Sequence, residues 1–325
     1  MTRAFLCALL VACAHVAHGE IRVVDDAGAA IVLPAPARRI VSLAPHATEL
    51  LHAAGAGGRI VGVVKGSNHP PEARALPVVG DVHAIDVERI VAMRPDLVVT
   101  WPYTTPAQVG KLAARGVAVF TTDPHTIDGI AADIERLGAL AGTTPVAAIA
   151  ARRFREQVVG ATAGAAGRAK VRVFYQIWGE PTYTIGGRHL ISQAIAACGG
   201  ENVFASLALP APQVSVEAVI AARPQAIVAG ADGGARPAWL DAWSRWTGVP
   251  AVRDRQIHVV DADRLHRPGP RFADGVAELC AAIDRARPAA HRAATGPSDL
   301  VFGRPAQRGT NVDSVPEASR TSGRP

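Results

Sequence analysis

Aromatic residues are scarce in this 325-residue chain: five Trp, three Tyr and seven Phe, 5% in all. A basic stripe interleaved with stacking rings is therefore missing. The formal charge of +6 sits largely in arginine clusters near the termini and around residues 152–155, which argues against a nucleic-acid binder. Cysteine is limited to four, with no paired histidines nearby to complete a zinc site. The chain has no P-loop, no G-x-S-x-G elbow and no H-E-x-x-H. Gly55-Ala56-Gly57-Gly58 resembles a dinucleotide fingerprint, but it follows a helix and precedes a strand, the wrong order for a phosphate-binding turn. Eleven histidines are scattered, none at metal-ligand spacing with a carboxylate. No constellation of nucleophile and base emerges, which leaves an enzyme as the least favoured function.

What is present is apolar material and length. Hydrophobic residues make up 49% and mean hydropathy is slightly positive, +0.17. The length accommodates two domains of ordinary size. Residues 1–19 read as a targeting signal: Arg3, an apolar run over 4–14, then small residues to Gly19. The run is too short to span a bilayer. Two processing routes remain open. Cleavage after Gly19 or Ala17 releases a soluble protein, whereas Leu10-Val11-Ala12-Cys13 fits a lipoprotein box and makes Cys13 a lipid anchor. Both export the chain. Cys7 and Cys13 fall within the signal, which leaves Cys198 and Cys280 as an even pair in an oxidising compartment. A bridge would close a loop of about 80 residues, worth roughly 4–5 kcal/mol in the chain-entropy model. Two buried thiols are the alternative.

Beyond the signal the pattern alternates. A hairpin is expected over 20–33, turning at Asp26-Ala27-Gly28, then buried strands at 39–43, 59–64, 96–100 and 117–121. Helices are expected at 49–54, 87–93, 106–115 and 127–140. Residues 143–170 follow as one long helix, with Thr144 as N-cap, Pro145 in the first turn, and Val146, Ala150, Phe154 and Val158 on its apolar face. Strands at 171–175, 226–229 and 256–260 then alternate with helices at 189–197, 216–222 and 272–285. Trp239, Trp243 and Trp246 recur at helical spacing, read as core packing. Strands alternating with helices mean parallel sheets covered on both faces. The expected organisation is α/β: a first Rossmann-like lobe over 20–142, a connecting helix over 143–170, a second such lobe over 171–293, and a polar tail over 294–325 with the composition of disorder.

An internal repeat supports the two lobes. Residues 86–95, DVERIVAMRP, recur as 215–224, SVEAVIAARP, and the strands that follow keep register. Each copy has an N-cap, a glutamate two residues on, an apolar helix and Arg-Pro. Glu88 and Glu217 therefore occupy matching places. An acid in a first helical turn interacts favourably with the helix dipole, which by itself accounts for both. In open parallel sheets ligands sit beyond the carboxyl ends of the strands. The exit loops nominate His46, Ser67, Asn68, His69, Asp81, His83, Trp101, Tyr103 and His125 in the first lobe. The second lobe offers Trp178, Tyr183, Asp232, Asp261, Arg264, His266 and Arg267. Aromatics on facing loops suit a flat, large, partly apolar ligand.

The segments RIVSLAPHATELLHAAG, NHPPEA, VERIVAMRPDLVVTW, CGGENVF and PQVSVEAVIAARPQAIV together resemble the substrate-binding proteins of ABC importers whose lobes are joined by one rigid helix. That group serves cobalamin, haem and ferric siderophores, and the likeness is greatest to its cobalamin branch, over roughly residues 39–285. The resemblance implies a periplasmic, monomeric receptor with no catalytic activity, no resident cofactor and no metal site of its own. It would carry cobalamin or a related corrinoid to a permease dimer with its ATPase subunits. It further implies that Glu88 and Glu217 dock on permease arginines, that Cys198 and Cys280 are bridged, and that Trp101 lines the ligand cleft. Where the cobalamin branch carries further aromatics, this chain has Gly66, Val82 and Ala211. Tyr103, Trp178, Tyr183 and His83 are the candidates to take their place, and His46 is a further candidate ligand contact. A haem or ferric-siderophore receptor of the same fold, with His46 or Tyr103 on the iron, is the alternative.

Overall fold

The fold is taken from a computed structural model that describes residues 20–81 and 83–288. The expected signal segment with Cys13, Val82 and the expected tail lie outside the described residues. Strands β1 (Ile21–Val24) and β2 (Ala30–Leu33) pair antiparallel as a hairpin. The buried apolar runs that follow form a four-stranded parallel sheet of order β4-β3-β5-β6: β3 (Ile40–Ser42), β4 (Ile60–Val63), β5 (Leu97–Thr100) and β6 (Ala118–Thr121). Helices α1 (Pro45–Ala53), α2 (Val87–Ala92), α3 (Pro106–Ala113) and α4 (Ile127–Leu140) make the connections. After the long helix α5 (Thr144–Thr162) comes a second parallel sheet. It is built from β7 (Val171–Gln176), β8 (Gly200–Asn202), β9 (Ala226–Ala231) and β10 (Ile257–Asp261), in the equivalent order β8-β7-β9-β10. Helices α6 (Leu190–Ala197), α7 (Val216–Ala222), α8 (Pro250–Arg253), α9 (Ala262–Leu265) and α10 (Phe272–Ala286) complete it.

The repeat holds down to single side chains. Arg94 and Arg223, its aligned arginines, both take left-handed backbone at φ 47°. Arg39 donates from Nε to the carbonyl of Met93 at 2.8 Å, and Arg172 donates from Nη2 to Ala222 at 2.7 Å. In each lobe the arginine opening the first strand thus satisfies a carbonyl at a helix end that has no partner within the helix.

Five local expectations are corrected. The long helix expected over 143–170 ends at Thr162, where a 3-10 turn (Ala163–Ala165) and Gly167 at φ 71° lead the chain out of it. The helix expected from Glu49 begins at Pro45, because a proline suits the first helical turn. His46 is therefore helical rather than in a loop. Thr143, not Thr144, stands at the N-cap of α5, and its hydroxyl donates to the carbonyl of Ala54 at 2.6 Å instead of capping. The buried face of α5 is Ala147, Ala151 and Phe154, while Val146 and Ile149 are more than half exposed. The reason is close approach. A Cβ on Gly138 of α4 would lie 2.2 Å from the Cβ of Ala147, so small residues let the two helices meet and bulk is turned outward. Strand β8 follows directly on Gly199, where no strand was expected; three residues carry too short a period to read.

The bridge between Cys198 and Cys280 is formed and ties the end of α6 to the middle of α10. Packing runs through both lobes. One buried cluster reaches from Ile40 and Leu97 in the first sheet, through Ala147, Ala151 and Phe154 of α5, to Val173 in the second sheet and Ile283 of α10. Two satellite clusters, around Val98 and around Ile227, cover the other face of each sheet.

Candidate ligand cleft

The carboxyl ends of the two sheets are brought together by a polar floor. Glu49, on α1, is 3% exposed. It accepts from Nε and Nη2 of Arg271 at 2.9 and 2.6 Å and from Nη1 of Arg267 at 3.3 Å. Arg267 also donates to Oδ1 of Asn68 at 2.8 Å and pairs with Asp263 at 2.7 Å. Asn68 donates in turn to Asp263 across 3.3 Å. Two residues of the first lobe thus meet three of the second, more than 190 positions away in the chain. A second crossing joins Gln193 Nε2 to the carbonyl of His125 at 2.6 Å.

Above this floor the first lobe presents a run of rings. The edge of His46 meets Trp101 with centroids 5.3 Å apart, and Trp101 meets Tyr103 at 4.7 Å, both edge-to-face. The turn carrying the rings is pinned by Thr104, whose hydroxyl donates to the carbonyl of Leu43 at the end of β3, 3.1 Å away. Tyr103 is 65% exposed and Trp101 half-buried, whereas His46 is sealed. Burial, and then the charge of Arg267, lowers the pKa of His46 to about 3, so its imidazole is neutral. Its Nε2 is buried with no hydrogen-bond partner.

In the second lobe Trp178 and Tyr183 face each other across the loop after β7. The amide of Tyr183 donates to the carbonyl of Trp178 at 3.3 Å, and Tyr183 also bridges to Gln213. Trp178 is exposed and Tyr183 half-buried. Among the described residues the ring contacts stay within each lobe, so the structure brings His46, Trp101 and Tyr103 together but does not join them to Trp178 or Tyr183. His83 is exposed on its own loop, where its amide donates to Asp81 Oδ1 at 2.8 Å. The tryptophan segment is a 3-10 turn, Ala238–Arg245, followed by Trp246. Only Trp243 is core, its indole donating to Gln176 at 2.8 Å. Trp239 and Trp246 wall a cavity of about 410 Å³ with Glu180 and Glu217 at its rim.

Glu88 and Glu217 both stand exposed in the first turn of their helices. Glu88 pairs with Arg115 at 3.0 Å. Glu217 makes no ion pair among the described residues. Its carboxyl is held below the usual range by its own backbone N–H and then by the Ser215 side chain. Sequence reasoning passed over Glu49, Asp263 and Arg271. Glu49 reads as one more exposed helical acid until α1 is seen to enter the floor. The Asp263–Arg267 spacing was no helical signal, because α9 ends at Leu265 and Arg267 reaches back to Asp263 from the loop beyond it.

The sequence profile of the periplasmic binding protein family matches residues 40–264. The chain belongs to that family. A vitamin B12-binding protein of Vibrio parahaemolyticus is 38% identical over 249 residues, 75% of this chain and 89% of that protein. The crystal structure of a periplasmic vitamin B12-binding protein of Vibrio cholerae superposes with a TM-score of 0.70 at 35% identity, covering 77% of this chain and 98% of that one. A periplasmic heme-binding protein from Roseiflexus, in its apo form, superposes at 0.68 with 26% identity, over 77% of this chain and 99% of that one. Members of the family bind substrates, and this member's carboxyl-end loops have the rings and polar groups to do so. Among the described residues no group of three or more His, Cys, Asp or Glu side chains could hold a metal ion.

Proposed function

We propose that this chain is a periplasmic receptor that captures cobalamin, or a related corrinoid, between its lobes and delivers it to an ABC importer. The observation that carries the reading is the 38% identity to a vitamin B12-binding protein across 89% of that relative's length. The cleft chemistry supports it. A corrinoid is a broad macrocycle edged with amides. Trp101, Tyr103, Trp178 and Tyr183 offer flat apolar contact, and Asn68, Asp263 and Arg267 offer donors and acceptors to the amides. The receptor acts as a monomer without resident cofactor and without catalysis. It is exported by its N-terminal signal, either released by cleavage or anchored at Cys13, and meets a permease dimer bearing ATPase subunits through Glu88 and Glu217.

Cyanocobalamin added to the purified protein should quench tryptophan fluorescence with a dissociation constant below micromolar. Trp101→Ala should weaken it by about tenfold or more, as expected for an aromatic anchor that the cargo covers. No quenching and no heat would remove the reading. The second reading, a haem or ferric-siderophore receptor, has the heme-binding Roseiflexus relative behind it. Of its two candidate iron contacts only Tyr103 is open, because His46 is sealed. A Soret shift with hemin, and no response to cyanocobalamin, would select it.

A further inference from the structure

The floor of the cleft contains a group that the cargo cannot touch. The Glu49 side chain is only 2% exposed, yet two guanidinium groups of the opposite lobe converge on it, those of Arg267 and Arg271. Their side chains are 18% and 19% exposed, so they reach the surface of the floor while Glu49 lies beneath. The loop that carries them is laid close on α1: a Cβ at Gly269 would come 3.5 Å from Glu49 Oε2 and 3.7 Å from the His46 Cβ. Arg267 has Asp263 and Asn68 as further partners, whereas Arg271 has Glu49 as its only ion-pair partner among the described residues. The paired arrangement is charge-balanced, with Glu49 and Asp263 against Arg267 and Arg271. Taking one partner away from such a buried set is costly, because the other is left without its counter-charge.

We infer that Glu49 is the positioning residue of the cleft, clasping the second lobe through Arg271 and thereby fixing both the width of the floor and the direction in which Arg267 meets the cargo. This rests on the reading of the cleft as the cargo site. Helix α5 and the shared core join the lobes along one side. The clasp joins them at the mouths of the sheets, so the empty protein is held in the shape that binds. Removing the clasp lowers the fraction of molecules with a competent cleft, and apparent affinity falls by that fraction. The loss belongs to association, because cargo meets fewer competent molecules. Losing a direct contact speeds dissociation instead.

The full chain carrying Glu49→Gln is the test, with spin labels at exposed positions 113 and 221, one per lobe, and stopped-flow binding of cyanocobalamin. The clasp predicts a longer and broader interlobe distance distribution in the empty variant, closing again when cargo is added. It also predicts an association rate about tenfold lower with dissociation changed by less than about twofold. Arg271→Gln should do the same, and the double variant should be no worse than either single one, since both break one unit. A folded Glu49→Gln protein with the unchanged narrow distribution would overturn the inference, as would a loss carried in the dissociation rate. If Glu49→Gln does not fold, Arg271→Gln decides by the same readings. If the unaltered protein ignores cyanocobalamin, the cargo reading fails while the distance measurement still tests the clasp.

Discussion

The two lobes share a construction and differ in how they meet the outside. Arg39 and Arg172 satisfy helix-end carbonyls in the same way, Arg94 and Arg223 adopt the same backbone, and both sheets have the same strand order. Yet Glu88 is held by Arg115 while Glu217 has no cationic partner among the described residues and stands beside a tryptophan-walled cavity. The first lobe carries a neutral, sealed histidine under its rings, and the second carries the disulfide. Equivalence is kept where the chain must close a βα unit, because the backbone hydrogen bonds there admit few solutions. It is dropped on the rims, where no such demand exists.

The largest expected effect concerns the staple that only the second lobe has. Replacing Cys198 and Cys280 together by Ala should lower the unfolding free energy by about 2–5 kcal/mol, read from chemical denaturation. A negligible change would show that the second lobe does not depend on its bridge, and the contrast with the unbridged first lobe would lose its meaning.

Next comes pH, through His46. The unfolded chain protonates this residue near its ordinary 6.5, whereas the fold holds it to about 3. Its contribution is therefore intact above pH 6.5 and is lost as pH falls from there toward 3, about 2 kcal/mol by pH 5. Asp133 opposes it. Burial and neighbouring Asp26 raise its pKa to about 7, so the fold takes up that proton before the unfolded chain does and gains stability as pH falls from about 7 toward 4. The informative quantity is the stability of the native protein minus that of His46→Asn. It should drop by about 2 kcal/mol between pH 7.5 and 5. A difference that does not change with pH would mean that the site admits the charged ring.

A smaller effect sharpens the contrast between the glutamates. If both dock on transporter cations as proposed, Glu217→Gln should reduce complex formation by about tenfold and Glu88→Gln by about threefold, since Arg115 already shares the charge of Glu88. Arg115→Ala should then strengthen docking through Glu88. Equal losses from the two glutamates would restore the symmetry that the repeat suggests. The smallest effect tests what the lobes share. Arg94→Gly and Arg223→Gly each relieve a left-handed residue and should raise stability by up to about 1 kcal/mol, by similar amounts.

Much of this architecture was legible beforehand. The strands of both sheets except β8, the full extent of α4, and the repeat all follow from apolar period and from Pro and Gly stops. The cleft was legible only in part. Trp101 and Tyr103 could be nominated because strands end in loops, and they do meet. His46 could be nominated, but its burial depends on where α1 starts, a difference of one turn. Glu49 and Arg271 could not be paired, because nothing local records that residues 222 positions apart share a charge. The buried face of α5 was misjudged for a related reason. Bulk predicts burial for a helix on a sheet, but where two helices touch closely the small residues go inside.

The apolar cluster that runs through Ala147, Ala151 and Phe154 into both sheets has a thermodynamic consequence. Neither lobe can expose its share of that cluster without stripping the other's. Heating should therefore melt the chain in a single transition in which calorimetric and van't Hoff enthalpies agree, despite two sheets and two Rossmann-like units. Cargo would then shift that one melting temperature for the whole molecule.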